Sequence, residues 1–503
     1  MGQSRFEQSP RSALVESTLV TLAALMLFLP FLSIQYDTNG LIEALAVESG
    51  ELFHKNHLLY RVMGWVAYRG LQLTGHSPRA IVVLQVMNAI CGAVGVGLAY
   101  LTYNRAARNR QAAIAGSLFL GCSFTYWLFS TDAAYITVAA MFASASMAVL
   151  LYLTAPLGAV IAGALTVLSI LTWQASVFLV PALSFLLFEL RRDLPKQTRV
   201  RYVVIYAGTA CLISFLSYTL VAFAQHGAMS VSSLVRWLTT YGEAGTLPMW
   251  GKWEAERIVI AAGSALWSIV PTPLAVPLSQ LNWTIQRGRI AVDVAIVGFA
   301  LLSLLAALKT RAQALRFFVA YLVFLPFIVW WDPFEPKWFV IPTLFLAGFF
   351  AAALAPWFRN RYASSAILAT VFVIAVTNFI TTMRPRHSDV GPDRRMAQCV
   401  AENMHPNDLV IAAEWGWPDY LEYLYGRRSL SLINNFPTVE DTLKEVHDTG
   451  GRAYISDPNA YSDNHVAWLQ SQSGITRDDL NRLADRPAFS CYGRTVFSVR
   501  TSR

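Results

Sequence analysis

Residues 13–40 read ALVESTLVTLAALMLFLPFLSIQYDTNG, and the reading of this stretch decides the architecture. From Ala13 to Ile34 the chain is apolar enough, and long enough, to cross a bilayer, which takes about 20 such residues. It has no small-residue cleavage site and is too long for the apolar core of a signal peptide, so a retained first span is expected. The apolar run then stops at Gln35-Tyr36-Asp37-Thr38-Asn39-Gly40. Asp-Thr-Asn-Gly is good turn chemistry, and a solvated turn acid is the plain reading of Asp37. The sharper reading is a carboxylate held at the membrane edge, where it can deprotonate an acceptor delivered beside a lipid-borne donor.

Composition carries the membrane reading to the whole chain. Of 503 residues, 55% are hydrophobic and 14% charged, with mean hydropathy +0.44. Soluble domains carry about 25% charged residues, so an α-helical polytopic membrane protein is expected. The net charge of +8 sits mainly in short loops. There it speaks for orientation and for anionic membrane lipids as partners, not for nucleic acid. Apolar runs with basic flanks give about eleven transmembrane helices. They fall near 13–34, 80–102, 111–130, 133–154, 156–172, 174–190, 202–224, 290–308, 314–331, 338–357 and 362–380. The basic clusters at Arg105–Arg110, Arg191–Arg201, Lys309–Arg316 and Arg359–Arg361 share one side with Arg5 and Arg11. That side is expected to be cytoplasmic, N-terminus included, which puts Asp37 and the C-terminus outside.

Two long outer regions interrupt the spans. The spacing of apolar residues over 35–79 predicts two amphipathic helices lying in the interface. Residues 225–289 carry Trp237, Trp250, Trp253, Trp267 and Trp283, and predict an interfacial layer. Within it, 256–278 is apolar but holds Pro271, Pro273 and Pro277, so a re-entrant or interfacial segment is expected rather than a span. The expected division is a membrane domain over 1–384 and a soluble α/β domain over 385–503. In the latter, strands are expected at Leu409–Ala412, Ser429–Leu432, Ala453–Ile455 and Thr495–Val499, with helices at 393–404, 438–449 and 462–473. Cys91, Cys122 and Cys211 fall in spans and read as packing residues. Cys399 and Cys491 lie in the polar region, where an oxidising compartment would allow them to pair.

Four outward segments carry candidate chemistry. The first is Tyr36-Asp37 followed by His54-Lys55-Asn56-His57-Leu58-Leu59-Tyr60-Arg61, whose histidines and cations suit a phosphate or a divalent metal. An interfacial helix with a snorkelling polar face is its plain alternative. The second is Ser130-Thr131-Asp132-Ala133-Ala134-Tyr135, where Asp132 is either a helix N-cap or, in a cavity, a contact for a metal or an acceptor hydroxyl. The third is Trp330-Trp331-Asp332-Pro333-Phe334-Glu335-Pro336-Lys337-Trp338. Lys337 can offset a carrier phosphate and the tryptophans can pack on isoprene units; an aromatic belt with a surface ion pair is the alternative. The fourth, Leu171-Thr172-Trp173-Gln174, places an amide at an outer helix break. The chain has no HExxH, no paired CxxC and no GxSxG, which weakens zinc-hydrolase and serine-hydrolase readings.

Over about 13–380 this layout resembles the GT-C superfamily of polytopic glycosyltransferases, in particular bacterial relatives of protein O-mannosyltransferases and the lipid A aminoarabinose transferases. Asp37 matches the acid of the first outer loop, and His57-Leu58-Leu59-Tyr60 the loop-helix pattern behind it. Asp132-Ala133-Ala134-Tyr135 is similar to the turn after the third span, and Glu335-Pro336-Lys337-Trp338-Phe339-Val340-Ile341-Pro342 to the late-loop motif. There are departures: a single Asp stands where O-mannosyltransferases have Asp-Glu, and Glu414-Trp415-Gly416-Trp417 differs from the Trp-Trp-Asp signature of oligosaccharyltransferases.

The resemblance implies inverting transfer of a sugar from a polyprenyl-phosphate donor to a lipid- or glycan-linked acceptor on the outer face of the bacterial inner membrane. Asp37 is the implied general base. Lys337, with Arg61 or His57, is implied to stabilise the leaving phosphate, while Tyr36, His54, Tyr60, Asp132, Tyr135, Gln174, Asp332, Glu335 and Trp338 complete the substrate site. No cofactor is required; a divalent metal, Mg or Mn, held by His57 and Asp132 is compatible. The rival readings are an O-antigen ligase or polymerase, and a non-enzymatic transporter or assembly scaffold.

Overall fold

The computed structural model describes residues 10–153, 155–192, 194–227, 230–239, 251–271, 296–301, 303, 305 and 313–500. In chain order the first helices are α1 (Pro10–Phe28), α2 (Thr38–Ser49), α3 (Tyr60–Leu73), α4 (Ala80–Ala107), α5 (Arg110–Cys122) and α6 (Phe124–Thr131). Then come α7 (Ile136–Tyr152), α8 (Pro156–Thr172), α9 (Leu179–Leu190), α10 (Lys196–His226), α11 (Val231–Thr239) and α12 (Ala255–Trp267). The late helices are α13 (Gln313–Leu322), α14 (Leu325–Trp331), α15 (Val340–Leu354) and α16 (Arg361–Asn378). The C-terminal region interleaves α17 (Gly391–Asn403), β1 (Leu409–Ala412), α18 (Trp417–Tyr425), β2 (Arg428–Ser431), α19 (Val439–Asp448) and β3 (Ala453–Ser456). It ends with α20 (Asp463–Ser473), α21 (Arg477–Leu483), β4 (Ala484–Cys491) and β5 (Arg494–Val499). Two compact units form: Met1–Ser33, Gly50–Gly227 and Gly251–Pro385 make the first, and Ile34–Ser49, Ala228–Trp250 and Arg386–Arg503 the second.

Among the described residues six helices are long and apolar enough to cross a membrane: Arg11–Phe31, Ala80–Ala107, Lys196–His226, Ala314–Trp331, Pro336–Arg359 and Arg361–Asn403. The expected span 111–130 is instead a broken pair, α5 and α6, bent by 64°. The expected spans at 133–154, 156–172 and 174–190 are apolar helices of 17 residues or fewer. Most of 290–308, with Asp293, lies outside the described residues, as do Trp250, Trp283, Pro273 and Pro277. The re-entrant segment begins with α12, which at 13 residues is too short to span. Of its tryptophans, Trp253 is exposed, whereas Trp267 stacks on Phe124 at 6.4 Å.

In the first unit α4 is buried on nearly every side. Its glycines admit close neighbours, as small residues do in membrane helix packing. A Cβ at Gly97 would lie 2.0 Å from Thr21 Oγ1, one at Gly95 2.4 Å from the Tyr126 hydroxyl, and one at Gly92 2.4 Å from Ser130 Oγ. The same helix carries two buried amides. Gln85 Nε2 donates to the Ser33 carbonyl at 2.7 Å, and Asn88 Nδ2 to the carbonyls of Asp132 at 2.7 Å and Ala134 at 2.5 Å. Chain ends that leave regular helix inside an apolar environment must have their carbonyls satisfied, and these amides do it. The α5–α6 break is satisfied likewise. Phe124 N donates to Ile269 O at 2.9 Å, and Asn378 Nδ2 to Cys122 O at 2.7 Å and Ile269 O at 2.8 Å. On the opposite end, Arg110 pairs with Glu16 at 3.0 Å, and Arg316 with Glu189 at 3.5 Å.

The second unit is built on a sheet of order β2-β1-β3-β5-β4. β1 runs parallel to β2 and β3, and β5 antiparallel to β3 and β4. Leu409, Ile411, Val446, Ile455, Leu469 and Leu480 form its core. The four expected strands are present within a residue of their expected bounds, and so is the helix trio, within two. β4, α18 and α21 are additional. Cys399 on α17 and Cys491 at the end of β4 form a disulfide. Cys91 and Cys122 are buried as expected, but Cys211 faces outward from α10, so it is not a packing residue in this chain.

Candidate functional site

Within the first unit the sequence candidates converge on the 50–61 segment. The His54 and His57 rings stack at 5.3 Å, and His57 lies over Tyr135 at 3.4 Å. Tyr135 meets Tyr60 at 6.1 Å and Trp173 at 6.3 Å, and Trp173 stacks on Trp338 at 5.3 Å. This ladder joins the 54–61 part of the first outward segment to the second, third and fourth segments within the first unit. Tyr60 OH donates to Ala133 O at 2.8 Å, Leu59 N to Leu171 O at 2.9 Å, and Gln174 N to Asn56 O at 3.2 Å, which lock the same segments through backbone. Gln174 thus opens the helical turn after α8, and its backbone helps fix the 50–61 loop.

The charges around the ladder are largely buried. Lys55 and His57 are each 7% exposed, Arg61 is 6% exposed and Asp132 is fully enclosed. Asp132 follows α6 and uses Oδ1 on its own neighbour, Ala133 N, at 2.8 Å; Tyr135, not Asp132, precedes α7, so the N-cap reading is wrong. Burial pushes His54 down to about 3, with Arg61 and Lys55 adding to the shift. Burial, then His54 and Arg61, hold His57 well below its usual range despite the Thr172 carbonyl. Both shifts favour the neutral imidazole, so the cationic charge of this segment is carried by Lys55 and Arg61. His57 Nδ1 is buried without a hydrogen-bond partner.

The late loop supplies the remaining groups. Lys337 Nζ lies 5.7 Å from the Trp338 ring and 3.7 Å from Glu335 Oε2, with Glu335 half exposed. Trp331, Trp338 and Phe327 pack on one another, and both tryptophans keep part of their surface exposed. Burial raises the Asp332 carboxyl, opposed first by Lys337. Sequence reading missed Arg257, a buried side chain on α12. Its Nε and Nη2 donate to the carbonyls of Val329 at 2.9 Å and Trp331 at 2.8 Å, so it caps the end of α14 and fixes the loop. Arg257 sits in a stretch read only for its hydropathy. Asn88 was legible as a polar residue three positions from Gln85 in an apolar span.

Tyr36 and Asp37 belong to the second unit. Asp37 Oδ1 accepts from Asn39 N at 2.9 Å and Asn39 Nδ2 at 2.8 Å, and the Asp37 carbonyl accepts from Leu41 N at 3.1 Å. This is the turn that Asp-Thr-Asn-Gly predicts, and it opens α2 while fixing the carboxylate. Nearby in charge is Asp419 of α18, which accepts from Gly416 N at 3.0 Å. Burial pushes it up to about 7, and Glu422 and Asp37 add to the shift. Because the folded chain keeps this proton from about pH 4 to 7 while the unfolded chain releases it, stability falls across that window as pH rises. Asp419→Asn keeps the acceptor and removes the ionisation. The variant is expected to melt above wild type at pH 8 and level with it at pH 4, in thermal unfolding of detergent-solubilised protein.

Among the described residues no group of three or more His, Cys, Asp and Glu side chains converges on one point. No step below runs through a metal.

Compared by structure, the chain aligns with the aminoarabinose transferase ArnT of Cupriavidus metallidurans in its apo state, over 97% of this chain and 98% of that one, at 13% identity and TM-score 0.57. The chain shares the fold of that transferase structure. The oligosaccharyltransferase of Archaeoglobus fulgidus, solved in complex with Zn and sulfate, aligns over 97% of this chain and 73% of its own at TM-score 0.54 and 13% identity. The same enzyme tethered to an acceptor peptide aligns at TM-score 0.52. By sequence, no protein-family model and no curated protein matches the chain.

Proposed function

We propose that the protein is a membrane glycosyltransferase that moves a hexose or pentose from a polyprenyl-phosphate carrier to a lipid- or glycan-linked acceptor. The reaction runs on the extracytoplasmic face of a bacterial inner membrane, with the N-terminus cytoplasmic. The observation that carries this reading is the buried cationic cluster of the first unit. Lys55 and Arg61 are withdrawn from water beside neutral histidines, with Lys337 in electrostatic reach of His57. Cations held in low dielectric suit a phosphate anion, and they gain most when the charge is localised, as on a leaving phosphate. His57 Nδ1 suits a sugar hydroxyl as its donor.

In this reading Asp37 takes the acceptor proton as the acceptor oxygen attacks the anomeric carbon, and the C–O bond to phosphate breaks with inversion. The carrier leaves as a stabilised phosphate, so no general acid is needed. Tyr36 beside Asp37 in the second unit, and Tyr60, Tyr135, Asp132, Gln174, Asp332, Glu335 and Trp338 in the first, are the further substrate-binding residues of this reading.

Native mass spectrometry of the purified protein with undecaprenyl phosphate tests the carrier assignment. Lys337→Ala is expected to weaken binding about tenfold, in keeping with loss of one charge-assisted hydrogen bond. Equal binding by Lys337→Ala, or none by wild type, overturns it.

A further inference from the structure

The second unit contains, besides Asp37, the elements that hold it. Helix α18 lies against the segment 34–49 along its length. At one end the Tyr420 hydroxyl donates to the Tyr36 carbonyl at 2.9 Å, and the two rings stack at 6.0 Å with 25° between planes. A turn further on, the Tyr423 hydroxyl donates to Glu48 Oε1 at 2.8 Å, at the far end of α2. On the chain-entry side, Ile34 N and Gln35 N both donate to the Arg386 carbonyl, at 2.8 and 3.3 Å, while the Arg386 guanidinium donates back to Gln35 O. Gln35 Nε2 reaches Asp389 O at 3.0 Å.

The corner that carries Asp37 is thus held from three directions by residues more than three hundred positions away in sequence. None of these contacts serves the core of the α/β fold, which is built from Leu409, Ile411, Val446, Ile455 and their neighbours. Tyr420 and Tyr423 are spaced three apart, so both project from the same face of α18. A helix that needed only to pack would cover α2 with aliphatic side chains. This one instead directs two phenol hydroxyls at a carbonyl and a carboxylate of the segment.

We infer that α18 is a positioning device for Asp37. Tyr420 fixes the backbone immediately before the acid, Tyr423 fixes the end of α2 behind it, and the soluble domain thereby takes part in the reaction through Asp37. This rests on the reading of Asp37 as the general base. A base must be held in place while the acceptor attacks, and a displacement of about 1 Å can cost about a hundredfold in rate.

The test compares full-length wild type, Tyr420→Ala, Tyr420→Phe and Asp37→Asn by two readouts. Amide hydrogen exchange is followed in segment 34–49, with segment 60–73 as internal control. Turnover of an undecaprenyl-phosphate-linked hexose is read as undecaprenyl phosphate released. Tyr420→Ala is expected to speed exchange at Asn39 and Leu41 about tenfold and to lower kcat about tenfold with an unchanged KM for the donor. Tyr420→Phe keeps the ring stack but loses the hydroxyl, and is expected to fall between wild type and Tyr420→Ala on both readouts. Unchanged exchange over 34–49 in Tyr420→Ala overturns the inference, as does wild-type kcat in that variant while Asp37→Asn is inactive. Should Tyr420→Ala fail to fold, Tyr420→Phe with Tyr423→Phe carries the test, and wild-type exchange in that pair overturns it. An active Asp37→Asn beside faster exchange in Tyr420→Ala removes the base assignment and leaves the brace standing.

Discussion

Asp37→Asn protein is expected to accumulate and fold as wild type does and to transfer sugar about a thousandfold more slowly, the scale of losing a general base. Asparagine retains the Oδ1 acceptor that Asn39 uses, so the turn at the start of α2 survives and only basicity is lost. The loss should fall on kcat, with donor KM little changed, because the interaction removed matters most in the transition state. Asp37→Glu keeps the base but moves it by one methylene, and should sit between the two. The measurement is single-turnover transfer from an undecaprenyl-phosphate-linked sugar. Undiminished turnover by Asp37→Asn would take Asp37 out of the mechanism altogether.

The second large effect lies in the soluble domain. Cys399 and Cys491 close a loop of 92 residues in sequence. By the loop-entropy argument, removing that link destabilises the domain by about 4 kcal/mol, an upper figure since unfolded chains retain structure. The double variant Cys399→Ser, Cys491→Ser is expected to melt on the order of 10 °C lower than wild type. A reductant should bring wild type down to the variant and leave the variant unmoved. Coincident melting curves of oxidised and reduced wild type would contradict this.

The six long apolar helices were legible because long apolar runs with basic ends leave few alternatives, and the parallel strands because Leu409-Val410-Ile411-Ala412 and Ala453-Tyr454-Ile455 are short apolar runs bounded by turn residues. β4 was not legible: Asp485-Arg486-Pro487 reads as a loop, and a proline is tolerated there because the strand lies at the sheet edge. Of the site, the four outward segments were visible as polar interruptions at span ends. Their mutual stacking was not, since His57 over Tyr135 and Trp173 on Trp338 are contacts between distant parts of the chain. The neutral state of the two histidines was equally hidden, because it follows from burial. The pairing of Tyr420 with Tyr36 had no local signal either, as α18 is nine residues with Pro418 near its start.

The bend between α5 and α6 bears on how the chain is made. Its exposed backbone groups are met by Ser268 and by Asn378, partners 143 and 256 positions further along. A growing chain presents the bend to the insertion machinery long before either partner has left the ribosome. Until then the segment must stay straight, or wait at the lipid interface with its unpaired groups in water, and it can settle only in the final steps of assembly. Nascent chains halted before residue 378 should accordingly be handed to membrane proteases, while chains halted just after it should persist. The emergence of Asn378 would then act as a quality checkpoint for a helix made about 25 seconds earlier, at on the order of ten residues per second.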